Sequence, residues 1–355
     1  MVILGIETSC DETSTAIIEG KDDTVIIKAN VVASSLSMHA KTGGIIPEVA
    51  ARAQLKFILP VFQEAFEKAF GYSPTDITIS PPQIDAIAVT YGPGLIGPLL
   101  IGIETARTLS FAWQKPLIPV NHMLGHVYAN FVVESRKSKV ESKNRGVPEF
   151  PLIALVASGG HTDLLYMKQH GDIRILGGTR DDAAGEAFDK IGRLLGLPYP
   201  AGAVIEQRAK RGNAKRFHFP RPLLSTQTDD FSFSGLKTAV LREVKNIPNL
   251  DEQTVNDIAF GTQAAVVDVL VKKTLRAAEK RDVKSIILSG GVSANQMLRE
   301  TFQTDMQRRN IGAELFFPPK NLCTDNAAMI ATASYFNFHP FDWRTLRANP
   351  ELYYE

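Results

Sequence analysis

Cysteine is nearly absent. Cys10 and Cys323 are the only two in 355 residues, each set among Asp and Thr residues with no CxxC spacing. That scarcity argues against a disulfide framework and makes a reducing, cytoplasmic setting the expectation. An excess of charge of one sign is missing too: 39 Lys and Arg stand against 38 Asp and Glu, a net of +1. Whole-chain charge does not mark a nucleic-acid binder, so any such surface has to be a local patch. No apolar run approaches the roughly 20 residues that cross a bilayer, and no membrane partner is expected. Residues 1–7 read as a strand, without the basic and apolar segments of a signal peptide or the Arg/Ser-rich pattern of a transit peptide. What is present is an ordinary globular composition, 44% hydrophobic and 22% charged, in a chain long enough for two lobes rather than one.

The stretch richest in chemistry is His122-Met123-Leu124-Gly125-His126, between a strand-like run (117–120) and a helix-like run (127–133). Imidazoles four apart on a helix leave from one face and can share a metal ion. A third ligand has to come from elsewhere, and Asp325, in Leu322-Cys323-Thr324-Asp325-Asn326, is the carboxylate to pair with them. The competing reading of Asp325 is a plain helix N-cap, a position Asp favours.

The remaining chain reads as alternating strands, polar turns and helices. An apolar strand (2–6) enters a turn of hydroxyls and carboxylates, Glu7 to Ser14, and strands resume at 15–19 and 24–33. Such a turn either holds phosphate or metal, or simply satisfies its own backbone. Residues 49–70 have helical spacing, with Pro60 expected to kink or break the helix. The Gly/Pro loop 91–98 joins a strand to a helix; it is equally an anion site and an ordinary strand-to-helix turn, and it is not a P-loop. Residues 134–150 form a polar, Lys/Arg-bearing loop. The opening pattern then recurs: strand 152–157, turn Ser158-Gly159-Gly160-His161-Thr162, strand 163–167. That recurrence points to internal duplication. Asp181 and Asp182 suit the start of the next helix. Residues 206–221 interleave Arg208, Lys210, Arg211, Lys215, Arg216 and Arg221 with Phe217, His218 and Phe219, as a nucleic-acid patch or a solvated helix face. A Ser-Gly-Gly turn at 289–291 leads to Asn295 at the start of a further helix.

Nine segments, GIETSCDETS, HAKTGGIIPEVAAR, GPGLIGPLLIG, NHMLGH, SGGHT, DDAAGEAFDK, FSFSGLKT, SGGVSANQMLR and CTDNAAMIA, stand in the order found in one family. The chain resembles, over nearly its whole length, the TsaD family of tRNA threonylcarbamoyl transferases, formerly described as O-sialoglycoprotein endopeptidases. The resemblance implies an α/β, actin/Hsp70-like (ASKHA) ATPase fold, with two duplicated lobes around a nucleotide cleft where the histidine stretch would lie. Lobe I is expected at 1–121 with 326–355, and lobe II, carrying the metal helix and nucleotide turns, at 122–325. The implied reaction is transfer of the threonylcarbamoyl group from threonylcarbamoyl-AMP to the exocyclic amine of adenine at position 37 of ANN-decoding tRNA, giving t6A and AMP.

The same resemblance implies that His122, His126 and Asp325 hold one divalent ion, Fe2+ first and Zn2+ second. Val156, Ala157, Ser158, Gly159, Gly160, Asp189, Gly202, Glu206 and Asn295 match substrate and nucleotide contacts, and Asp11 and Glu12 match acidic residues near the reacting centre. Expected partners are tRNA, a TsaB-like paralogue and a TsaE-like ATPase, or a second copy in a homodimer. Ala201, Ala203 and Pro98 depart from the family pattern, which bears on nucleotide fit rather than on the metal ligands. A metallopeptidase is disfavoured because Met123 stands where an HExxH enzyme has its Glu. A sugar or acetate kinase of this fold does without the triad, and a non-catalytic scaffold would be expected to lose it.

Overall fold

The apolar run at 2–7 is buried on both faces and forms the central strand of a five-stranded sheet. In a computed structural model, which describes residues 1–39, 44–72, 83–133 and 146–354, the strands are β1 (Val2–Glu7), β2 (Glu12–Lys21), β3 (Thr24–Ser34), β4 (Ala86–Gly92), β5 (Leu117–Asn121), β6 (Leu152–Ala157), β7 (Thr162–Gln169), β8 (Asp172–Gly178), β9 (Ser285–Ser289) and β10 (Glu314–Phe316). The helices are α1 (Leu36–His39), α2 (Pro47–Phe70), α3 (Ile96–Trp113), α4 (His122–Tyr128), α5 (Ala184–Leu194), α6 (Gly202–Ala209), α7 (Ser234–Asn246), α8 (Glu252–Glu279), α9 (Gln296–Arg308) and α10 (Ala327–Phe336).

The sheets share one topology. The first runs β3-β2-β1-β4-β5, and the second, read from its far edge, β8-β7-β6-β9-β10. In each, a three-stranded antiparallel meander is extended by two parallel strands. The repeated hairpins read in the sequence are thus a duplicated α/β architecture of the actin/Hsp70-like kind.

The chain divides into two units, Met1–Val147 with Pro318–Glu355, and Pro148–Phe317. The expected division put residues 122–325 in the second lobe. Instead α4 and Asp325 belong to the first unit, because α4 continues directly from β5 and packs against α10.

In the first unit, helices cover both faces of β1, which is why its sequence lacks polar alternation. Leu4 and Ile6 pack with Phe62, Phe66, Leu99 and Ile103 of α2 and α3. Gly5, on the opposite face, lies under the start of α10. The expected break at Pro60 does not occur, and α2 runs unbroken. Pro60 and Lys56 are both exposed, so water can serve the Lys56 carbonyl that Pro60 leaves without an amide donor. The helix that the histidine stretch opens starts at His122 and ends short of the expected 133: α4 stops at Tyr128 and closes in a 3-10 turn, Ala129–Phe131. In the second unit, α8 is long and apolar enough to meet a membrane-span criterion of length and composition, contrary to the expected lack of any such run. Most of it is buried as the core helix of that unit.

Candidate active site

Asn121 starts the local order. Its side-chain oxygen accepts from the backbone N–H groups of Met123 (2.8 Å) and Leu124 (3.4 Å), so α4 begins at His122 and both imidazoles leave from one face. Gly125 lies between them. A Cβ there would meet Ile330 Cδ1 at 2.7 Å, so its absence lets α4 approach α10. Asp325 precedes α10 but does not cap it. Asn326 is the cap, accepting from the Met329 amide at 3.1 Å. That frees the Asp325 carboxylate, whose Oδ1 lies 3.5 Å from His122 Nε2 and 3.2 Å from His126 Nε2. Donor atoms about 2.0–2.2 Å from one tetrahedral ion are roughly 3.4 Å apart, so this spacing fits a shared ion. Two imidazoles and a carboxylate suit iron(II) or zinc.

Behind the triad stands Glu7, a residue sequence reasoning passed over. It is fully buried at the end of β1. Its Oε2 lies 3.0 Å from His122 Nδ1 and accepts from Thr90 Oγ1 at 2.5 Å, and its Oε1 accepts from the Ser9 amide at 2.5 Å. Ser9 Oγ is 3.2 Å from the same His122 nitrogen. A carboxylate on the far nitrogen of a metal-ligating histidine fixes its tautomer and ring orientation. The signal that could have found Glu7 is a carboxylate closing an otherwise apolar buried strand. Glu7→Gln is expected to weaken divalent-metal binding about 10–100-fold; an unchanged affinity by calorimetric titration would remove Glu7 from the site.

Burial alone would lower the His122 pKa, but Glu7 and then Asp325 raise it well above 6.5. Burial alone would raise those of Glu7 and Asp325, yet His122 holds both below ordinary carboxylate values. Without metal, the His122 contribution to stability is therefore present below pH 6.5 and lost as pH rises through its raised pKa. The contributions of Glu7 and Asp325 are present above 4.5 and 3.8, respectively, and lost as pH falls through their lowered pKa values. A bound cation must displace the His122 proton, so metal affinity is expected to rise with pH through the neutral range. Calorimetry in buffers of differing protonation enthalpy would count that proton.

Glu12 opens β2 in the same unit, and Asp11 ends the turn before it. Gln54 of α2 holds this turn by donating to the carbonyls of Thr8, Cys10 and Glu12. Burial, then Asp325 and Asp11, push the Glu12 carboxyl up to about 10, so it carries a proton at neutral pH. In that state it is a donor rather than a base.

The substrate-contact candidates all lie in the second unit. Val156 and Ala157 end β6, and Ser158, Gly159 and Gly160 form the turn to β7. Gly185 and Gly290 crowd this segment: a Cβ on either would lie 2.5 and 2.4 Å from the carbonyls of Ser158 and Ala157, respectively. Asp189 accepts from the Ala201 amide at 2.7 Å, and burial raises its pKa. Glu206 accepts from the Gln296 amide at 2.8 Å. Asn295 caps α9 through Leu298, and its amide donates to Gln263. These three polar side chains tie turns together in the structure. Asp181 and Asp182 do not start α5 as expected. Asp181 accepts from the amides of Phe233 and Ser234 at the start of α7, and Asp182 pairs with Lys190.

The basic patch is largely neutralised by α8 and the residues at its start. Arg208 pairs with Glu252, which Arg211 also approaches at 3.8 Å while staying exposed, Arg216 with Asp257 at 2.9 Å, and Arg221 with Asp268 at 2.9 Å. Lys210 and Lys215 are exposed and have no ion pair among the described residues. The alternative basic residues, Arg136, Lys137, Lys139 and Lys143, lie outside the described residues.

Comparison with known proteins bears on the fold and the family. The HypF crystal structure, in its phosphate- and nucleotide-bound form, matches with a TM-score of 0.56 at 12% identity, covering 96% of this chain and 47% of that one. That likeness concerns fold alone, and the chain spans about half of HypF. Proteins called tRNA N6-adenosine threonylcarbamoyltransferase are 48% identical in Symbiobacterium thermophilum, over 94% of this chain and 91% of the relative, and 45% identical in Moorella thermoacetica, over 99% and 96%. The family model TsaD, tRNA N6-adenosine threonylcarbamoyltransferase, matches residues 26–332, and the chain belongs to that family.

Proposed function

We propose that this chain transfers a threonylcarbamoyl group from threonylcarbamoyl-AMP to the exocyclic amine of adenine at tRNA position 37. The observation that carries this reading is the convergence of His122, His126 and Asp325, backed by Glu7, in a member of this family. In the reaction the amine nitrogen bonds to the carbamoyl carbon, the carbon–oxygen bond to phosphate breaks, AMP leaves, and the amine gives up a proton. The nitrogen lone pair is delocalised into the ring, so the site must position and polarise the donor strongly.

His122 and His126, through Nε2, and Asp325 would hold a divalent ion, with iron(II) or zinc matching the donor set. Such an ion supplies Lewis-acid polarisation and a template for the acyl donor. Glu7 keeps His122 oriented with Nε2 free. Asp11 is the assigned proton acceptor, because burial, Asp325 and Asp11 raise the Glu12 carboxyl and favour its protonated form in the metal-free chain. For the AMP portion, the supporting feature is open glycine. A Cβ at Gly159, Gly160, Gly202 or Gly291 would meet nothing within 4 Å, so packing does not require glycine there, and backbone N–H groups can approach a phosphate. Asp189 and Asn295 hold the turns around these glycines, and Glu206 anchors the start of α9.

The tRNA is assigned to the exposed cations Lys210, Arg211 and Lys215. Reversing Arg216 would set a carboxylate against buried Asp257, so it reports on folding rather than binding. Charge reversal at Lys210, Arg211 and Lys215 together is expected to weaken tRNA binding at low salt and flatten its salt dependence by about three phosphate contacts. Unchanged affinity would reject this surface. A TsaB-like paralogue and a TsaE-like ATPase are the expected partners. The decisive assay combines this protein, threonylcarbamoyl-AMP and unmodified tRNA, with and without those partners, and reads nucleosides by mass spectrometry. Absence of t6A under every combination would reject the reaction.

A further inference from the structure

We propose that residues 349–353 act as a strap that positions the metal helix, with Asn121 as the positioning residue that receives it. The inference rests on the reading of the triad as a divalent-metal site. Asn121 works in two directions. Its oxygen caps α4, while its Nδ2 donates to the Tyr353 carbonyl at 2.9 Å. The same strap grips the Gly/Pro loop after β4. The Asn349 amide donates to the Tyr91 carbonyl at 2.8 Å, and the Gly94 amide donates to the Pro350 carbonyl at 3.2 Å. Gly92 permits the close approach, since a Cβ there would sit 1.9 Å from the Asn349 carbonyl oxygen. Beyond Gly94, the Leu95 amide donates to the Ser9 carbonyl at 2.8 Å, and Ser9 Oγ lies beside His122 Nδ1.

The strap therefore reaches His122 by two routes, through the helix cap and through the Ser9 turn. Leu352 anchors it and is buried, at 3% exposure. A short helix of seven residues is weakly held by its own hydrogen bonds, so an external tie on its cap controls where its side chains point. The position of the histidine pair thus depends on a segment far along the chain, since the Asn121–Tyr353 bond spans 232 positions.

Three full-length variants test this. Leu352→Ala loosens the strap and leaves Asn121 intact. Asn121→Asp keeps a good helix cap and removes the donor to Tyr353. Asn121→Ala removes both. Cobalt(II) titration, followed by its visible spectrum, reads the site, and amide hydrogen exchange of residues 122–128 in metal-free protein reads the helix. Leu352→Ala and Asn121→Asp are expected to bind cobalt about tenfold more weakly than the unaltered protein, with a changed spectrum and faster exchange in α4, while β6 and β9 exchange as before. Asn121→Ala should be weaker still. Unchanged α4 exchange in Leu352→Ala and Asn121→Asp would overturn the strap, whatever the metal does. Failure of the unaltered protein to bind cobalt would overturn the metal reading instead, and the exchange comparison would still decide the strap.

Discussion

Replacing His126 by Ala is expected to reduce threonylcarbamoyl transfer by about 10²–10⁴-fold, the kinetic equivalent of the several kcal/mol that a Lewis-acid contact supplies. His126 is buried, and its Nε2 lies 3.2 Å from Asp325. Without it, only His122 and Asp325 remain, too few to hold an ion tightly. The fold should survive. His126 Nδ1 has no hydrogen-bond partner among the described residues, so the imidazole is not the hub of a network that folding requires. Asp325 also keeps His122 as a charge partner at 3.5 Å. Metal content by elemental analysis, transfer by nucleoside mass spectrometry and fold by circular dichroism should separate cleanly. Full transfer by a folded His126→Ala protein would reject the metal role.

Gly5→Ala is expected to damage the same site without touching a ligand. An ideal Cβ on Gly5 sits 2.4 Å from the Ala327 carbonyl oxygen and 2.9 Å from the Ala331 Cβ. Neither neighbour is the end of a flexible side chain, so α10 has to move away from β1. Its start is also tied to this sheet face, where the Ala327 amide donates to Ser14 Oγ of β2 at 2.9 Å, so the displacement strains that bond too. The cost of such overpacking is about 1–3 kcal/mol. Because Asp325 stands two residues before Ala327, the displacement should also draw its carboxylate away from the imidazoles and lower metal affinity. Gly192→Ala is the control. There a Cβ would lie 2.2 Å from Ala201 Cβ, a comparable clash in the second unit. Both variants should lower the melting temperature, but only Gly5→Ala should lower metal affinity. Equal affinity in the two would show that α10 does not carry the position of Asp325.

The histidine pair was legible because it is local: four residues of helix bring His122 and His126 to one face with no help from the rest of the chain. The duplication was legible for a similar reason, since a strand, a polar turn and a strand recur at 2–19 and 152–167 and form matching meanders. Asp325 was harder. Its immediate neighbours equally favour an N-cap, and only Asn326 taking that place released it. Glu7 was not singled out, since a single acidic residue after five apolar ones looks like the end of a strand. Its meaning depends on His122 arriving from 115 positions away. The basic segment failed in the opposite sense: six cations in sixteen residues look like a surface patch until Glu252, Asp257 and Asp268 pair with four of them, Arg211 more loosely at 3.8 Å.

Local sequence thus determined the strands, the glycine turns, the histidine spacing and, through nine ordered motifs, the family. Tertiary structure decided which unit owns the metal helix, that Asp325 faces the histidines and that Glu7 stands behind them. It also decided that burial and the neighbouring carboxylates raise the Glu12 carboxyl, and that Asn121 at the cap of α4 donates to the Tyr353 carbonyl. The physical reason is range. Backbone hydrogen bonds and side-chain periodicity act over a few residues. Burial and charge pairing instead depend on which distant segments the folded core brings together.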